Sequence, residues 1–181
     1  LKNAPQSYRN YYEPFIGGGI VCLNINFEHS CKISDSNTTL TTLYNIVKEE
    51  PEKLLTNLKE FKECLKEEYS KEEFKEMYIK YRAEFNELKL KKHKSEGEVM
   101  LMCVIFLFIN KNCYCAVYRE NSKGVFNVPS GTYTYNFFSE GTIREASKVA
   151  QNIEIQNGDF EECCCDTSEN DFVFLDPPYA P

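Results

Sequence analysis

The sequence predicts an α/β protein in which a doubly wound sheet is interrupted by a mainly helical insert. Short apolar segments that end on acidic or turn-forming residues lie near both ends of the chain, at residues 11–15, 31–35, 152–156 and 171–175. Between these segments lies a mainly helical insert of roughly a hundred residues, the size of a small domain. Strand, glycine turn, helix and strand in this order form the opening of a doubly wound sheet.

The first segment contains the first two predicted strands. Residues 11–15 lead into Gly17-Gly18-Gly19, and residues 20–24 are expected to form a short helix. Residues 31–35 predict a second strand that ends on an acid. Asp35 or Ser36 is then the expected N-cap of a helix that continues to residue 47.

The insert is expected over residues 46–147. Apolar residues recur every three or four positions from 51 to 93, with a break near Ser70, which predicts helices. Residues 99–109 predict a buried helix. The stretch from 110 to 133 is rich in turn residues and aromatic side chains, and it predicts a β-hairpin or an ordered loop.

The last segment returns to an α/β pattern. A short helix is predicted over residues 141–150, a strand over 152–156 and a turn over 158–160. Residues 171–175 predict a buried strand that runs directly into Asp176-Pro177-Pro178-Tyr179.

Composition excludes several classes of protein. The 181 residues, of which 42% are hydrophobic, supply enough apolar material for a core. The longest apolar run is shorter than the roughly 18 residues that cross a bilayer, so we expect no membrane partner. Nine cysteines, an odd number, and two histidines away from any cysteine pair predict free thiols, no metal site and an intracellular protein. Because the chain opens on Leu1, we expect further sequence upstream.

The negative charge of the chain is distributed unevenly, and this bears on which partners it can bind. A net charge of −7 argues at first against a nucleic-acid partner. However, residues 46–98 carry 13 basic and 14 acidic side chains, a net of −1, so most of the negative charge lies elsewhere. A near-neutral insert can still present lysines on one face, and nucleic acid therefore stays among the possible partners.

The strongest candidate for chemistry is Asp176-Pro177-Pro178-Tyr179, which follows an apolar strand. Ligands of doubly wound sheets bind outside the carboxyl ends of the strands. Two prolines fix the backbone there, so that a carboxylate and main-chain carbonyls form a rigid set of acceptors suited to an amino group on a ring. Tyr179 supplies a face for stacking on a base. An ordinary strand-ending turn explains the same four residues equally well.

A second candidate lies around the glycine run. Glu13 precedes the glycines, where it would attract a cationic group such as an α-ammonium, and the dinucleotide spacing of glycines is absent. Asp35 lies 22 positions beyond Glu13, near the offset at which a second-strand acid takes ribose hydroxyls. Asp159, beside Phe160, follows a third candidate strand. A plain loop remains the alternative for the glycines alone.

Taken together, these motifs resemble the Dam-type family of S-adenosylmethionine-dependent DNA adenine methyltransferases. Residues 12–19 look like the family's first cofactor motif, and residues 34–37 are similar to the second. Residues 124–133 resemble its hairpin stretch and residues 176–181 its catalytic motif. The resemblance implies a Rossmann-like methyltransferase sheet, incomplete in this chain, with a target-recognition insert that includes a hairpin near 113–133. Residues 1–45 would be the cofactor-binding part and 148–181 the catalytic part.

The resemblance also implies roles for individual residues. S-adenosylmethionine would be held by one group of side chains and backbone atoms: Tyr12, Glu13, Phe15, Gly17, Asp35, Asp159 and Phe160. Asp176 and the Pro177 carbonyl would accept hydrogen bonds from the target amino group, and Tyr179 would stack on the flipped base. Duplex DNA would be contacted through the insert by Tyr114, Arg119, Asn121, Asn127 and Pro129. No metal is implied, because the sulfonium already activates its methyl group.

Other functions stay open. Cys115-Ala116 stand where the family usually has Asn-Gly, and a cysteine cannot make the donor-plus-acceptor contact of an asparagine. The same cleft would suit methylation of a cytosine amine or of RNA. A degenerate methyltransferase that serves as a DNA-binding or assembly module is the alternative outside enzymes. In each case we expect a monomer or a weak dimer.

Overall fold

A computed structural model describes residues 4–25, 27 and 29–178. The chain forms two compact units. The sheet unit comprises residues 1–50 and 143–181, and the helical unit comprises residues 51–142. Among the described residues, no helix is long and apolar enough to cross a membrane.

The sheet unit is built on four strands, which we number β1 (Tyr11–Glu13), β2 (Cys31–Asp35), β3 (Ile153–Asn157) and β4 (Phe172–Val173). All three pairings are parallel, and the strand order is β3-β2-β1-β4. The chain therefore moves outward from β1 to β3 and then returns to the other side of β1. This reversal defines a switch point between β1 and β4, where doubly wound sheets bind their ligands. The predicted α/β fold is confirmed.

Helices surround the sheet. Helix α1 spans Thr38–Glu49, helix α5 spans Glu140–Ala150 and the short helix α6 spans Phe160–Cys163, while Cys22–Asn24 form one turn of 3-10 helix. The core of this unit is a cluster of buried side chains: Tyr11, Ile16, Cys22, Cys31, Ile33 and Ile153. Leu40 and Tyr44 of α1 and Val149 of α5 pack against this cluster. The apolar face of each element is thus removed from water, which is the main source of its stability.

The helical unit contains α2 (Pro51–Glu63), α3 (Lys71–Leu90) and α4 (Glu96–Asn112), and a 3-10 turn at Tyr114–Ala116. Ser70 and Ser95 form capping boxes with Glu73 and Glu98, which explains why α3 and α4 begin at these positions. The break predicted near Ser70 and the buried helix predicted over 99–109 are confirmed. Both α2 and α3 pack on α4.

Several local predictions for the sheet unit differ from the structure. Asn37, not Asp35 or Ser36, caps α1, because Asp35 is already bonded to the backbone of Gly17 and Asn37. Only one 3-10 turn forms within residues 20–24. The turn predicted over 158–160 begins α6, since the Asp159 side chain accepts from the Glu161 N–H. The strand predicted over 171–175 is two residues long and half-buried, because within the described residues it pairs with β1 alone.

The stretch predicted to be a β-hairpin or an ordered loop has no regular strands. Within the described residues its pairing consists of two isolated antiparallel bridges, Cys113 with Ser130 and Glu120 with Phe126. The chain reverses at Asn121, whose side-chain oxygen accepts from the backbone N–H groups of Lys123 and Val125 at 2.9 and 3.2 Å. Strand pairing is short because other backbone groups of this loop bond to side chains of α3, as described below.

The loop returns very close to the end of α4 at Gly131. Its N–H donates to the carbonyl of Asn112 at 2.9 Å, and a Cβ at Gly131 would lie 2.5 Å from the carbonyl oxygen of Cys113. That backbone atom has no freedom to move aside, so the position requires glycine. We expect Gly131→Ala to lower the free energy of unfolding by about 1–3 kcal/mol, the usual cost of overpacking.

Gly97 provides the matched control for this substitution. It lies in the first turn of α4, and nothing is found within 4 Å of the position a Cβ would take. We expect Gly97→Ala to be neutral or to stabilise the helix by about 0.5–1 kcal/mol. Urea unfolding followed by circular dichroism measures both variants. Equal midpoints for the two would contradict the close approach at Gly131.

Candidate functional site

Acidic side chains meet at the carboxyl edge of the parallel sheet. Glu13 ends β1, Asp35 ends β2, and Asp176 follows β4 by three residues. Glu13 and Asp176 therefore flank the switch point between β1 and β4. Backbone bonding continues past β4, since the Phe174 N–H donates to the Tyr12 carbonyl at 2.8 Å, and this carries the chain toward Asp176.

Glu13 is a buried carboxyl with only 2% of its surface exposed. It accepts hydrogen bonds from the Tyr11 hydroxyl, at 2.6 Å, and from the backbone N–H of Cys22. Burial raises the pKa of Glu13, and the nearby Asp176 charge raises it further, while the two hydrogen bonds lower it in part. A cation that reached Glu13 would favour its ionised form and lower this pKa again.

The glycine loop is fixed between the end of β2 and α1. The Gly17 N–H donates to Asp35 Oδ2 at 3.2 Å, and the Tyr44 hydroxyl donates to the Gly17 carbonyl at 3.2 Å. Gly19 has a φ of +66°, and a Cβ there would lie 2.4 Å from the Tyr44 hydroxyl oxygen. Burial raises the pKa of Tyr44, so its hydroxyl stays protonated and can act as the donor. The loop thus has a defined shape before any ligand arrives.

An aromatic pair lies beyond the same edge of the sheet. Phe15, after β1, stacks on Phe160, at the start of α6, with ring centroids 5.6 Å apart and planes 28° apart. Phe160 remains 43% exposed. Asp159, next to it, uses one carboxylate oxygen to cap α6. The pair offers a flat apolar surface on which a ring of a ligand can pack.

Of the cofactor residues predicted from the sequence, all but Tyr12 lie at or beside this edge of the sheet. Gly17 donates to Asp35, Glu13 accepts from the Cys22 N–H just beyond the glycine loop, and Phe15 contacts Phe160 directly. Tyr12 lies on the other face of β1, because side chains alternate along a strand. Burial of its ring raises the pKa of Tyr12, the charges of Asp166 and Asp171 raise it further, and Lys32 lowers it in part.

The catalytic motif is only partly described. Asp176 and Pro177 are exposed at the edge of the sheet, beyond β4. Tyr179 lies outside the described residues.

In the helical unit, the predicted DNA-binding residues lie on the loop between α4 and α5. A hollow of about 380 Å³, which we call the loop hollow, is lined by Tyr114, Cys115, Val117, Arg119, Val128 and Pro129. Tyr114 is 63% exposed. Asn121 lies in the turn described above, and the side-chain oxygen of Asn127 accepts from Arg119 Nε at 3.0 Å. Tyr114, Arg119 and Pro129 thus share one apolar surface, with Asn127 behind Arg119.

The backbone beside Tyr114 is strained. Cys115 and Ala116 have φ values of +56° and +50°, in the left-handed region that glycine and asparagine adopt most easily. The Asn-Gly pair expected from the family resemblance would suit this geometry. The loop therefore has a left-handed backbone at two positions where cysteine and alanine do not favour it.

One group of residues in this unit was missed by the sequence analysis. Polar side chains on one stripe of α3, which we call the α3 stripe, donate to backbone carbonyls of the loop: Tyr78 and Arg82 to Val128, Asn86 to Phe126 and Lys89 to Gly124. Asn86 also accepts from the Phe126 N–H at 2.8 Å. The spacing of these four residues, every three or four positions, was the signal that could have revealed them.

A metal centre is not formed by the described part of the chain. Within it, no three histidine, cysteine, aspartate or glutamate side chains are grouped so that they could hold an ion. The nine cysteines are free, and five of them are buried.

The fold defines a class of protein: a doubly wound α/β domain with an inserted helical unit, which carries an exposed loop with aromatic and basic side chains. Comparison with known families assigns it further. The model of the D12 class N6 adenine-specific DNA methyltransferases matches residues 1–181, and the chain belongs to this family. The resemblance found in the sequence motifs is confirmed.

Curated relatives agree with the assignment. The type II methyltransferase M.MjaIII of Methanocaldococcus jannaschii is 36% identical over 180 residues, 96% of this chain and 59% of the relative. The type II methyltransferase M1.LlaDCHI of Lactococcus lactis subsp. cremoris is 32% identical over 98% of this chain and 59% of its own length. The DNA adenine methylase of Escherichia coli K12 is 32% identical over 93% of this chain and 55% of its own length. The chain therefore spans less than two thirds of these relatives.

Proposed function

We propose that this protein is a site-specific DNA methyltransferase that transfers a methyl group from S-adenosylmethionine to the exocyclic N6 of adenine after base flipping. The observation that carries the proposal is the pairing of buried Glu13 with exposed Asp176 across the β1/β4 switch point, in a chain of the N6-adenine family. One carboxylate is placed to hold a cation and the other to accept from an amino group. The proposed partner is duplex DNA, and we propose an intracellular monomer or weak dimer that needs no metal.

The residues at the edge of the sheet fit S-adenosylmethionine. Glu13 would hold the α-ammonium, with the Gly17 loop around the methionine end. The Asp35 oxygens each accept one backbone N–H already, but a carboxylate has about four lone-pair sites, so ribose hydroxyls can still donate to it. Phe15 and Phe160 would pack on the adenine ring beside Asp159, and Tyr12 would support the strand from its other face. The bound sulfonium supplies an activated methyl group.

Asp176 and Pro177 would act on the target base. The Asp176 carboxylate and the Pro177 carbonyl are acceptors, and proline has no N–H that could compete for the same place. Hydrogen bonds from the exocyclic amino group to these oxygens would direct the nitrogen lone pair away from them. Tyr179 would stack on the flipped base.

The helical unit, together with the neighbouring residues of the 46–147 insert, is the proposed target-recognition part. Tyr114 is exposed enough to enter the space that a flipped base leaves, and Arg119 can donate to a base or a phosphate. Pro129 contributes apolar surface to the loop hollow. Asn121 would contact DNA through its amide nitrogen, because its oxygen is used within the loop, and Asn127 would take part in recognition beside Arg119, from which its oxygen accepts.

Labelled-methyl transfer to unmethylated duplex DNA tests the proposal. The full-length gene product and this chain would be incubated with the cofactor, and the digested DNA would be separated into nucleosides. We expect N6-methyladenine. N4-methylcytosine, or label only in RNA, would move the activity to another target. DNA binding without transfer and without cofactor binding would support the degenerate-module alternative, which the strained Cys115-Ala116 backbone favours.

A further inference from the structure

The side chain of Arg119 is held by one partner in the loop. Its Nε donates to the side-chain oxygen of Asn127 at 3.0 Å, and the Asn127 N–H donates back to the Arg119 carbonyl at 3.3 Å. The two residues are therefore joined through both backbone and side chain. Among the described residues, no other side-chain hydrogen bond to Arg119 is formed. Its two terminal NH₂ groups thus remain available beside the loop hollow.

Asn127 is itself fixed from behind by α3. On one side of it, Phe126 is bonded to Asn86 through both its N–H and its carbonyl. On the other side, the Val128 carbonyl accepts from the Tyr78 hydroxyl at 3.1 Å and from Arg82 at 2.8 Å. The Phe126 and Val128 side chains are buried. Alternation along an extended chain then places the Asn127 side chain on the opposite, outer face.

This geometry leaves Arg119 able to make a contact with two hydrogen bonds. An arginine whose Nε is occupied still presents two parallel N–H donors, the arrangement that binds O6 and N7 of guanine in the major groove. An exposed arginine without a partner would sample many rotamers, and each rotamer lost on binding reduces affinity. The hydrogen bond to Asn127 removes part of that loss before DNA arrives.

We propose that Asn127 is a positioning residue that orients the Arg119 guanidinium toward one base pair of the target site, so that the two residues together set discrimination at that position. The proposal rests on the proposed function, since it concerns the DNA that the enzyme methylates. It assigns Asn127 an action through Arg119, in place of a contact with DNA of its own.

The test measures sequence discrimination rather than activity alone. The full-length gene product is assayed with duplexes in which each base pair around the target adenine is replaced in turn, and kcat/KM is compared with that for the parent duplex. Arg119→Ala is expected to reduce discrimination at one base pair by about 10- to 100-fold. Asn127→Ala should reduce discrimination at the same base pair by about 10-fold and leave the other positions unchanged.

Asn127→Asp is the decisive variant, because a carboxylate accepts the same Nε hydrogen bond but repels a phosphate. We expect it to restore discrimination to near the parent value. The double variant of Arg119→Ala with Asn127→Ala should discriminate no worse than Arg119→Ala alone. Ser122→Ala, an exposed change in the same loop, serves as the control that alters nothing.

Other outcomes would overturn the proposal. If Asn127→Ala weakens binding to every duplex equally and lowers the salt dependence of binding by about one phosphate contact, Asn127 touches the DNA backbone directly. A larger loss of binding in Asn127→Asp than in Asn127→Ala would also show that Asn127 touches the DNA backbone. If the wild-type protein transfers no methyl group, the proposed function fails, and fluorescence anisotropy with the same duplexes still tests discrimination. Absence of sequence-dependent binding would then reject this proposal as well.

Discussion

Replacing Asp176 with asparagine is expected to lower kcat for methyl transfer by about 10²–10³-fold, the usual loss when one preorganised polar group is removed from a transition state. Asparagine keeps the shape of the side chain and one acceptor oxygen, but it loses the negative charge that stabilises the amino group as it becomes cationic. Asp176 is exposed beyond β4, so the substitution disturbs no core contact. The effect should therefore appear in kcat and not in stability.

The same substitution has an expected side effect on cofactor binding. Asp176 raises the pKa of Glu13 through its charge, so its removal makes Glu13 easier to ionise. The Kd for S-adenosylmethionine should then stay equal or decrease. Single-turnover transfer and calorimetric titration measure the two quantities separately. Asp166→Asn is the matched control, because Asp166 is an exposed carboxylate paired with Lys32 at 3.4 Å. An Asp176→Asn enzyme with the kcat of the wild type would remove Asp176 from the proposed chemistry.

Glu13→Gln is expected to weaken S-adenosylmethionine binding by about 30- to 1,000-fold, because removing one charge of a buried ion pair costs about 2–4 kcal/mol. Glutamine still accepts from the Tyr11 hydroxyl, so the packing around β1 is kept. The wild-type affinity should fall as the pH drops through the raised pKa of Glu13, since only the ionised form attracts the ammonium. The affinity of the E13Q variant should not change over that range.

Stability should show the opposite trend. A carboxyl whose pKa is raised in the folded state binds its proton more tightly there than in the unfolded chain. The free energy of unfolding of the cofactor-free protein therefore falls as the pH rises from the unfolded pKa to the folded pKa, and is level above it. E13Q should lose this slope and be the more stable protein near neutral pH, although it binds the cofactor less well.

Urea unfolding of cofactor-free wild type and E13Q at several pH values measures this trend. Glu154→Gln, at an exposed position of β3, should leave it unchanged. A wild-type protein that gained stability with rising pH in this window, relative to E13Q, would show that Glu13 is stabilised in its charged form without any ligand.

How far the sequence determines the fold can be judged element by element. Capping boxes at Ser70 and Ser95 and regular apolar spacing act within a few residues, so α3 and α4 could be predicted from local sequence. The cap of α1 could not, because the hydrogen bond from Gly17 to Asp35 joins residues 18 positions apart. The loop after α4 was ambiguous for the same reason, since distant side chains on α3 satisfy its backbone.

The candidate site shows the same division. Parallel strands bring their carboxyl ends to one edge, and this made Glu13, Asp35 and Asp176 predictable as neighbours from their positions after strands. The burial of Glu13, the stacking of Phe15 on Phe160 and the use of Asn121 in a turn depend on three-dimensional packing. The sequence motifs therefore indicate which residues belong to the site. The structure adds which of these side chains are buried or bonded within the protein and which are accessible to a ligand.

The α3 stripe has a consequence for how target preference can change over evolution. Its hydrogen bonds to Gly124, Phe126 and Val128 end on main-chain atoms, which are the same whatever amino acid occupies those positions. Exposed side chains of the loop can therefore be exchanged one at a time while the path of the chain is preserved. In the proposed methyltransferase, a scaffold of this kind would allow new recognition sequences to arise by single substitutions while the loop stays folded.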